Sequence, residues 1–416
     1  MKTTYLLLCL LGIGSVSGAG QTKQPQKIGD FIESTSYNEH RRNATRSLQY
    51  TPDGDDFVCI NGKNRFTRAL YGSHTAFRLE TSDRPVFAAY TKENPKHICF
   101  KLQISGGTVA LDSTEHCESR YTAGRRSYSL SDPAFGGGSL SITTWALPDK
   151  EGAIWQFNAR NFKEFHPVLL ASISEIRNSK LNRNGDMGAD PADSFEAPLQ
   201  PQQLQSFPVQ IDGTLYILLE NQELRTLTTA EGENLFKKAE AARSETASRI
   251  RIETPDPYFN TLGGTLAMAA DGIWDGEVWL HGAIGWRMPL SGWRAAYTGD
   301  VLGWHDRART HFNAYAASQV TEVPNTLPHP AQDSALHLAR SVKKWGTPQY
   351  SNGYICRNPH RNNQMHHYDM NLCYIDELLW HFKWTGDLDY VRQMWPVITR
   401  HLAWEKLNYD PDNDGL

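Results

Sequence analysis

Residues 271–281 read Asp-Gly-Ile-Trp-Asp-Gly-Glu-Val-Trp-Leu-His, and the pairs Trp286-Arg287, Trp293-Arg294 and Trp304-His305 follow, each preceded by glycine. Indole faces beside guanidinium and carboxylate groups suit a pyranose, which offers apolar C–H faces to rings and a rim of hydroxyls to charged donors and acceptors. Any one of these tryptophans is as readily core as platform. Their clustering beside Arg287 and Arg294 is what favours a sugar.

Breaking a glycosidic bond usually takes two carboxyl groups, one to protonate the leaving oxygen and one to act as base or nucleophile. Asp271, Asp275, Glu277 and Asp369 all stand among aromatic residues, where burial raises a carboxyl toward the range a general acid needs. Each taken singly also reads as a helix cap, a turn or an ion pair. Glu277 and Asp369 are the candidate catalytic pair.

A second polar cluster runs through Arg357, His360, Arg361, Asn362, Asn363, His366, His367, Tyr368, Asp369 and Asn371. Its composition admits a different reaction, β-elimination from a uronic acid. There Tyr368 or His367 removes the proton beside a carboxylate that Arg294 or Arg361 neutralises. The plainer reading is a solvated polar loop leading into a helix. His366 and His367 are adjacent and so point in different directions, and spacing supplies no third ligand. No metal site and no cofactor are expected. The acidic run 410–415 matches only the first half of a calcium loop and carries Pro411, so it reads as an acidic connection between helices.

These residues need a scaffold, and the chain of 416 residues is long enough for two folded units. Its formal net charge is -4, with both signs mixed along the sequence. That is no footprint for a phosphate backbone, and nucleic acid is not an expected partner. Residues 1–20 read as a signal peptide: Lys2, an apolar run over 5–13, then small residues over 15–20. The protein is therefore expected to be exported, periplasmic or extracellular. No later stretch is apolar for the roughly 18 residues a membrane span needs. Cys59, Cys99, Cys117, Cys356 and Cys373 are too few for a disulfide scaffold and leave room for one pair.

Residues 21–45 are polar and aperiodic, a tether. From 46 to 227 short apolar runs alternate with turn residues, and strands are expected over 57–60, 86–90, 98–104, 139–146, 153–157 and 214–219. Asn61-Gly62 favours a type I′ hairpin turn. The pattern predicts an antiparallel β-sandwich interrupted by a long polar loop over 178–205. Residues 228–253 read as a linker helix. Beyond 254 the composition shifts, ten of twelve tryptophans lying between Trp274 and Trp404. Helices are expected over 259–270, 306–318, 334–344, 368–384 and 388–407, with Leu372, Ile375, Leu379 and Phe382 on one face. Gly386 and Asp387 supply a C-terminal glycine and an N-cap, so the last two helices are antiparallel neighbours.

Within 254–416 the stretches Thr254-Pro-Asp-Pro-Tyr-Phe-Asn260, Trp384-Thr-Gly-Asp387, Trp395-Pro396 and the acidic run 410–416 follow one another in an order that resembles the six-hairpin glycosidase superfamily. The resemblance implies a multi-domain β plus α protein, an N-terminal antiparallel β-sandwich followed by an (α/α)6 toroid. About five expected helices are too few to close such a ring, so an incomplete toroid and a longer parent chain are expected. It further implies a glycan substrate in a cleft at one end of the helices. Trp286, Arg287, Trp293, Arg294, Arg361 and His366 would surround the sugar, and Glu277, Asp369, His367 and Tyr368 would do the chemistry. Polysaccharide lyases acting on rhamnosyl-glucuronate share this architecture, and hydrolysis and elimination both stay open at this level, as does a non-catalytic glycan-binding protein.

Overall fold

A computed structural model describes residues 50–64, 68–72, 76–90, 96–105, 107–148, 150–162, 166–176, 195, 204–282, 287–321, 328–329, 332–333, 338–339, 347–348, 352–362, 369–410 and 413–414. All of them belong to one compact unit, Gln49–Leu416. The expected signal peptide and tether lie outside the described residues.

Two antiparallel sheets form the N-terminal part. One has eight strands in the order β1 (Thr51–Asp53), β2 (Asp56–Ile60), β8 (His116–Thr122), β9 (Arg125–Ser131), β10 (Ser139–Ala146), β11 (Gly152–Arg160), β14 (Thr214–Glu220) and β15 (Glu223–Leu227). The other has seven: β13 (Leu204–Pro208), β12 (Val168–Glu175), β6 (Lys96–Ile104), β5 (Val86–Tyr90), β4 (Arg78–Thr81) and β3 (Arg68–Tyr71), with β7 (Gly107–Ala110) on β6. Period-2 alternation aims one set of side chains between the sheets. Trp155 of β11 stands there against Phe87 and Phe100 at 5.4 and 5.7 Å between ring centroids.

Strand β11 also buries Ile154 on the face turned away from the other sheet, and the structure shows why. Ile154, with Trp145 of β10 and Tyr216 and Leu218 of β14, is covered there by α1 (Thr229–Ala247) through Phe236 and Ala239. A capping box starts that helix: the Thr228 hydroxyl accepts from Glu231 N at 3.3 Å, and the Glu231 carboxylate accepts from Thr228 N at 3.0 Å. The expected linker is thus a packed helix, pinned by the Trp145 indole N–H donating to Glu240 Oε2 at 2.8 Å.

Two local expectations are overturned. Asn61-Gly62 does not close a hairpin: β2 pairs with β1 and β8, and Asn61 N donates to Cys117 O at 2.8 Å while its Oδ1 accepts from Cys117 N at 2.8 Å. The hairpin turn is on the other side, at Gly54 with φ 61°. No disulfide forms among Cys59, Cys99, Cys117, Cys356 and Cys373.

The helical part contains α2 (Pro257–Asn260), α3 (Leu262–Gly272), α4 (His305–Ala316), α5 (Asp369–Thr385) and α6 (Leu388–Tyr409), with a π-helical turn over Ala295–Asp300. The single helix expected over 259–270 is two, divided at Thr261, whose hydroxyl donates to Tyr258 O at 2.7 Å. The helix expected over 334–344 lies outside the described residues except Leu338–Ala339, which pair with Gln332–Asp333 as strands. Of the polar loop 178–205, only Phe195 and the start of β13 are described.

Between α5 and α6 the reading holds: Gly386 has φ 65°, and Asp387 Oδ1 accepts from Tyr390 N at 3.0 Å. The buried face of α5 is rotated from the expected one. Tyr374, Ile375, Leu378 and His381 face the core, whereas Leu372 and Leu379 are 48% and 39% exposed. The described residues contain no helix long and apolar enough to cross a membrane.

Candidate functional site

Of the 271–281 run, Asp271 and Gly272 end α3, and residues 273–281 fold as a tight turn and the first arm of a short hairpin. Trp274 bridges Trp279 and Leu280 bridges Pro289, both antiparallel. Asp275 Oδ1 accepts from Glu277 N at 3.0 Å and Val278 N at 2.7 Å, an Asx turn that works because Gly276 takes φ 101°. Asp275 is thereby a structural carboxylate of the turn.

The two indoles of this turn are core. Trp274 and Trp279 are 4% and 0% exposed and pack at 4.6 Å between ring centroids. Below them His311 of α4 accepts from Trp279 N at Nδ1, 3.1 Å, so its proton is on Nε2, which donates to Ser291 O at 2.9 Å. Burial pushes this imidazole down to about 4, and it stays neutral. Trp304 and Trp404 are also buried, the former under the Arg307 guanidinium at 4.4 Å.

At the tip of the turn Glu277 projects outward. Its Oε1 lies 2.6 Å from His360 Nε2, with both side chains about half exposed. His360 is held by its own N–H, which donates to Ala314 O at 3.0 Å, and by a left-handed backbone with φ 58°. Beneath the pair Tyr315 is fully buried, and burial, then the Asp275 carboxylate, raises its phenol well above the ordinary range.

Beside the turn sits a cationic group. His281 N donates to Met288 O at 2.9 Å; Arg294 Nη2 donates to His281 O at 3.4 Å; Arg357 Nη2 reaches Met288 Sδ at 3.3 Å. Burial, and then Arg294 and Arg357, lower the His281 imidazole below its usual range. Arg287 is half-buried, its guanidinium lowered by burial and supported by Asp275 and Glu151.

Asp369 is exposed on the first turn of α5, where its Oδ1 accepts from Met370 N at 3.1 Å. Among the described residues it shares no hydrogen-bond partner with Glu277. Trp293 links the two segments: its side chain hydrogen-bonds the Cys373 thiol one turn along from Asp369, and the next residue, Arg294, reaches His281. Trp293 is half-buried and strained at φ 70°. Arg361 is exposed, with its N–H on Asn358 O at 3.3 Å. Trp286, His366, His367 and Tyr368 lie outside the described residues.

Three buried groups of this region escaped the sequence reading. Glu377 accepts from Ala296 N at 2.8 Å and Tyr297 N at 3.5 Å, and burial pushes its carboxyl up to about 7. It holds the π-helical turn against α5. His381 Nδ1 meets both Asp300 oxygens at 2.9 Å, and Asp300 Oδ1 also meets His305 Nδ1 at 2.7 Å. The available signal was Glu377 and His381 four apart on the same helix side as Tyr374 and Leu378.

Among the described residues no three His, Cys, Asp or Glu side chains converge to hold a metal ion. A groove of about 370 Å³ between the β8–β9 turn, α1 and α3 is lined by Thr122, Arg243, Ser248, Arg251 and Thr261, and by none of the hairpin residues.

The family described as a domain of unknown function (DUF4450) matches residues 95–249. That span runs from β6 to the end of α1 and stops before the turn that carries Glu277 and the helix that carries Asp369. No curated protein matches the chain.

Proposed function

We propose that this protein cleaves glycosidic bonds by hydrolysis, with Glu277 as the carboxyl group that acts on the bond and His360 as its proton-sharing partner. The observation that carries the reading is the 2.6 Å contact between them at an exposed turn tip backed by two buried indoles packed at a tilt. A half-exposed carboxyl and imidazole in contact can exchange a proton with each other and with a leaving oxygen, which is what general acid catalysis needs. Asp369 is the proposed second carboxylate, joined to the hairpin through Trp293 and Arg294.

We read the helices as part of an (α/α)6 toroid of the six-hairpin glycosidase kind. Two apolar stripes support this. Leu372, Leu379 and Trp380 on α5 are exposed, as are Leu388, Trp395 and Leu402 on α6. The second stripe repeats every seven residues, the spacing of a helix face that another helix covers. Export belongs to the same proposal and rests on residues 1–20.

A panel of plant and host glycans offered to the full-length protein, with chromatographic analysis of products, tests the function. Cleavage that disappears in a folded Glu277→Gln variant supports it. Retained glycan affinity with no turnover of any panel member by the wild type would make this a binding protein instead.

A further inference from the structure

Along α5 Asp369, Cys373, Glu377 and His381 recur every four residues and so form one row on the helix surface. Segment 292–300 lies along that row and is tied to it turn by turn. A Cβ on Gly292 would meet Cys373 Cβ at 2.6 Å and Met370 O at 3.0 Å, so the backbone there approaches α5 as closely as only glycine allows. The Trp293 side chain hydrogen-bonds the Cys373 thiol. One turn on, Glu377 Oε2 accepts from Ala296 N at 2.8 Å and Tyr297 N at 3.5 Å, and the Trp293 and Arg294 backbone acts on the same carboxyl. At the next turn His381 Nδ1 meets the Asp300 carboxylate. Two unfavourable features are kept in this contact: Glu377 is fully buried, which costs a carboxyl free energy, and Trp293 is strained at φ 70°. Strain of this kind persists where the surrounding structure enforces it, and it gathers at sites that hold ligands.

We infer that Glu377 is a positioning residue: by holding the backbone of 293–297 against α5 it fixes the Trp293 indole, one turn from Asp369, as the platform on which the sugar ring rests. The inference rests on the hairpin being the glycan site. Glu377 itself touches no substrate and acts through Trp293. Unlike Trp274 and Trp279, Trp293 is only half-buried, so part of it is open to the C–H face of a pyranose. A platform held in place contributes to binding before and during bond cleavage alike, so its loss reads in KM rather than in kcat.

The test is steady-state kinetics of the full-length protein on the panel glycan it cleaves fastest, beside hydrogen–deuterium exchange of the 293–297 amides without glycan. Glu377→Leu, close to glutamate in size, removes the acceptor. It should speed exchange at Ala296 and Tyr297 and raise KM, each about tenfold, the effect of one hydrogen bond, with kcat within about twofold of wild type. Glu377→Gln, which keeps one acceptor, should restore most of both. Trp293→Leu should raise KM as much, and adding Glu377→Leu to it should raise KM no further, because the two act as one unit. Cys373→Ala, which takes away the thiol partner of the indole, carries the test if Glu377→Leu does not fold: KM should rise with the melting temperature unchanged. An unchanged KM in whichever of these variants folds, or Glu377→Leu and Trp293→Leu effects that simply multiply, would leave Glu377 a structural role only and spare the hydrolase reading. If the wild type cleaves no panel glycan, the hydrolase reading fails; unchanged exchange at Ala296 and Tyr297 in Glu377→Leu then overturns the hold on Trp293, and faster exchange upholds it.

Discussion

Glu277 and His360 are 83 positions apart in the chain, and their Oε1 and Nε2 atoms are 2.6 Å apart. One stands on a turn shaped by Asp275 and Gly276, the other in a left-handed backbone tied to the end of α4. Neither side chain is buried, so what holds the pair together is the scaffold on either side of it.

Glu277→Gln keeps the shape of this side chain and removes its proton chemistry. Turnover of the cleaved glycan should fall about 10²- to 10⁴-fold, the range for losing a general acid or base. His360→Asn should cost less, about tenfold. Steady-state kinetics with the substrate identified by the panel measure both, and an undiminished kcat in Glu277→Gln would remove it from the mechanism.

Hydrolysis and β-elimination leave different products. A hydrolase releases saturated reducing ends, so no absorbance from an unsaturated uronate should grow as cleavage proceeds. Its appearance in step with chain cutting would assign elimination.

Burial of Glu377 predicts a pH effect. Its folded value of about 7 exceeds the ordinary 4.5, so between these values the folded chain binds the proton more tightly. Stability from this group therefore declines as pH rises from about 4.5 to about 7 and stays low above. Glu377→Gln keeps an acceptor for Ala296 N and removes the charge. It should raise the melting temperature at pH 8, by the equivalent of roughly 3 kcal/mol, and change it little at pH 4.5. Equal shifts at both pH values would show that the carboxyl does not titrate in this window.

His311 acts in the opposite sense. With a folded value lowered from 6.5 to about 4, it contributes stability at neutral pH that is lost as pH drops between those limits. His311→Leu should cost roughly 3 kcal/mol at pH 7, because Trp279 N and Ser291 O lose their partner in the core. A urea melt shows this as a lower midpoint at unchanged slope. A midpoint within error of wild type would mean the hairpin does not depend on this bridge.

Much of the sandwich was legible because strand patterns are local. The expected strands over 86–90 and 139–146 coincide with β5 and β10. The β8–β9 hairpin was missed, since its inward positions include Ser119 and Arg126 and apolar alternation does not register them. Arg126 is tolerated inside because its Nε and Nη2 donate to Ser82 O at 3.1 Å and Tyr50 hydroxyl at 2.8 Å, contacts made across the chain. Asn61-Gly62 was misread for a related reason: the dipeptide permits a turn, but β2 found its partner in β8.

From its own residues this sequence determined several of the strands, such as those over 86–90 and 139–146, and that Gly386 and Asp387 separate two helices. Those features depend on φ preferences, capping groups and period, all set within a few positions. Only the tertiary structure decided that Trp274 and Trp279 are core, that α5 turns Leu372 and Leu379 outward, and that His360 meets Glu277 and Arg294 meets His281. Such outcomes depend on which surfaces pack together, and residue type alone does not say whether an indole, a guanidinium or a carboxylate ends up facing a neighbour or water.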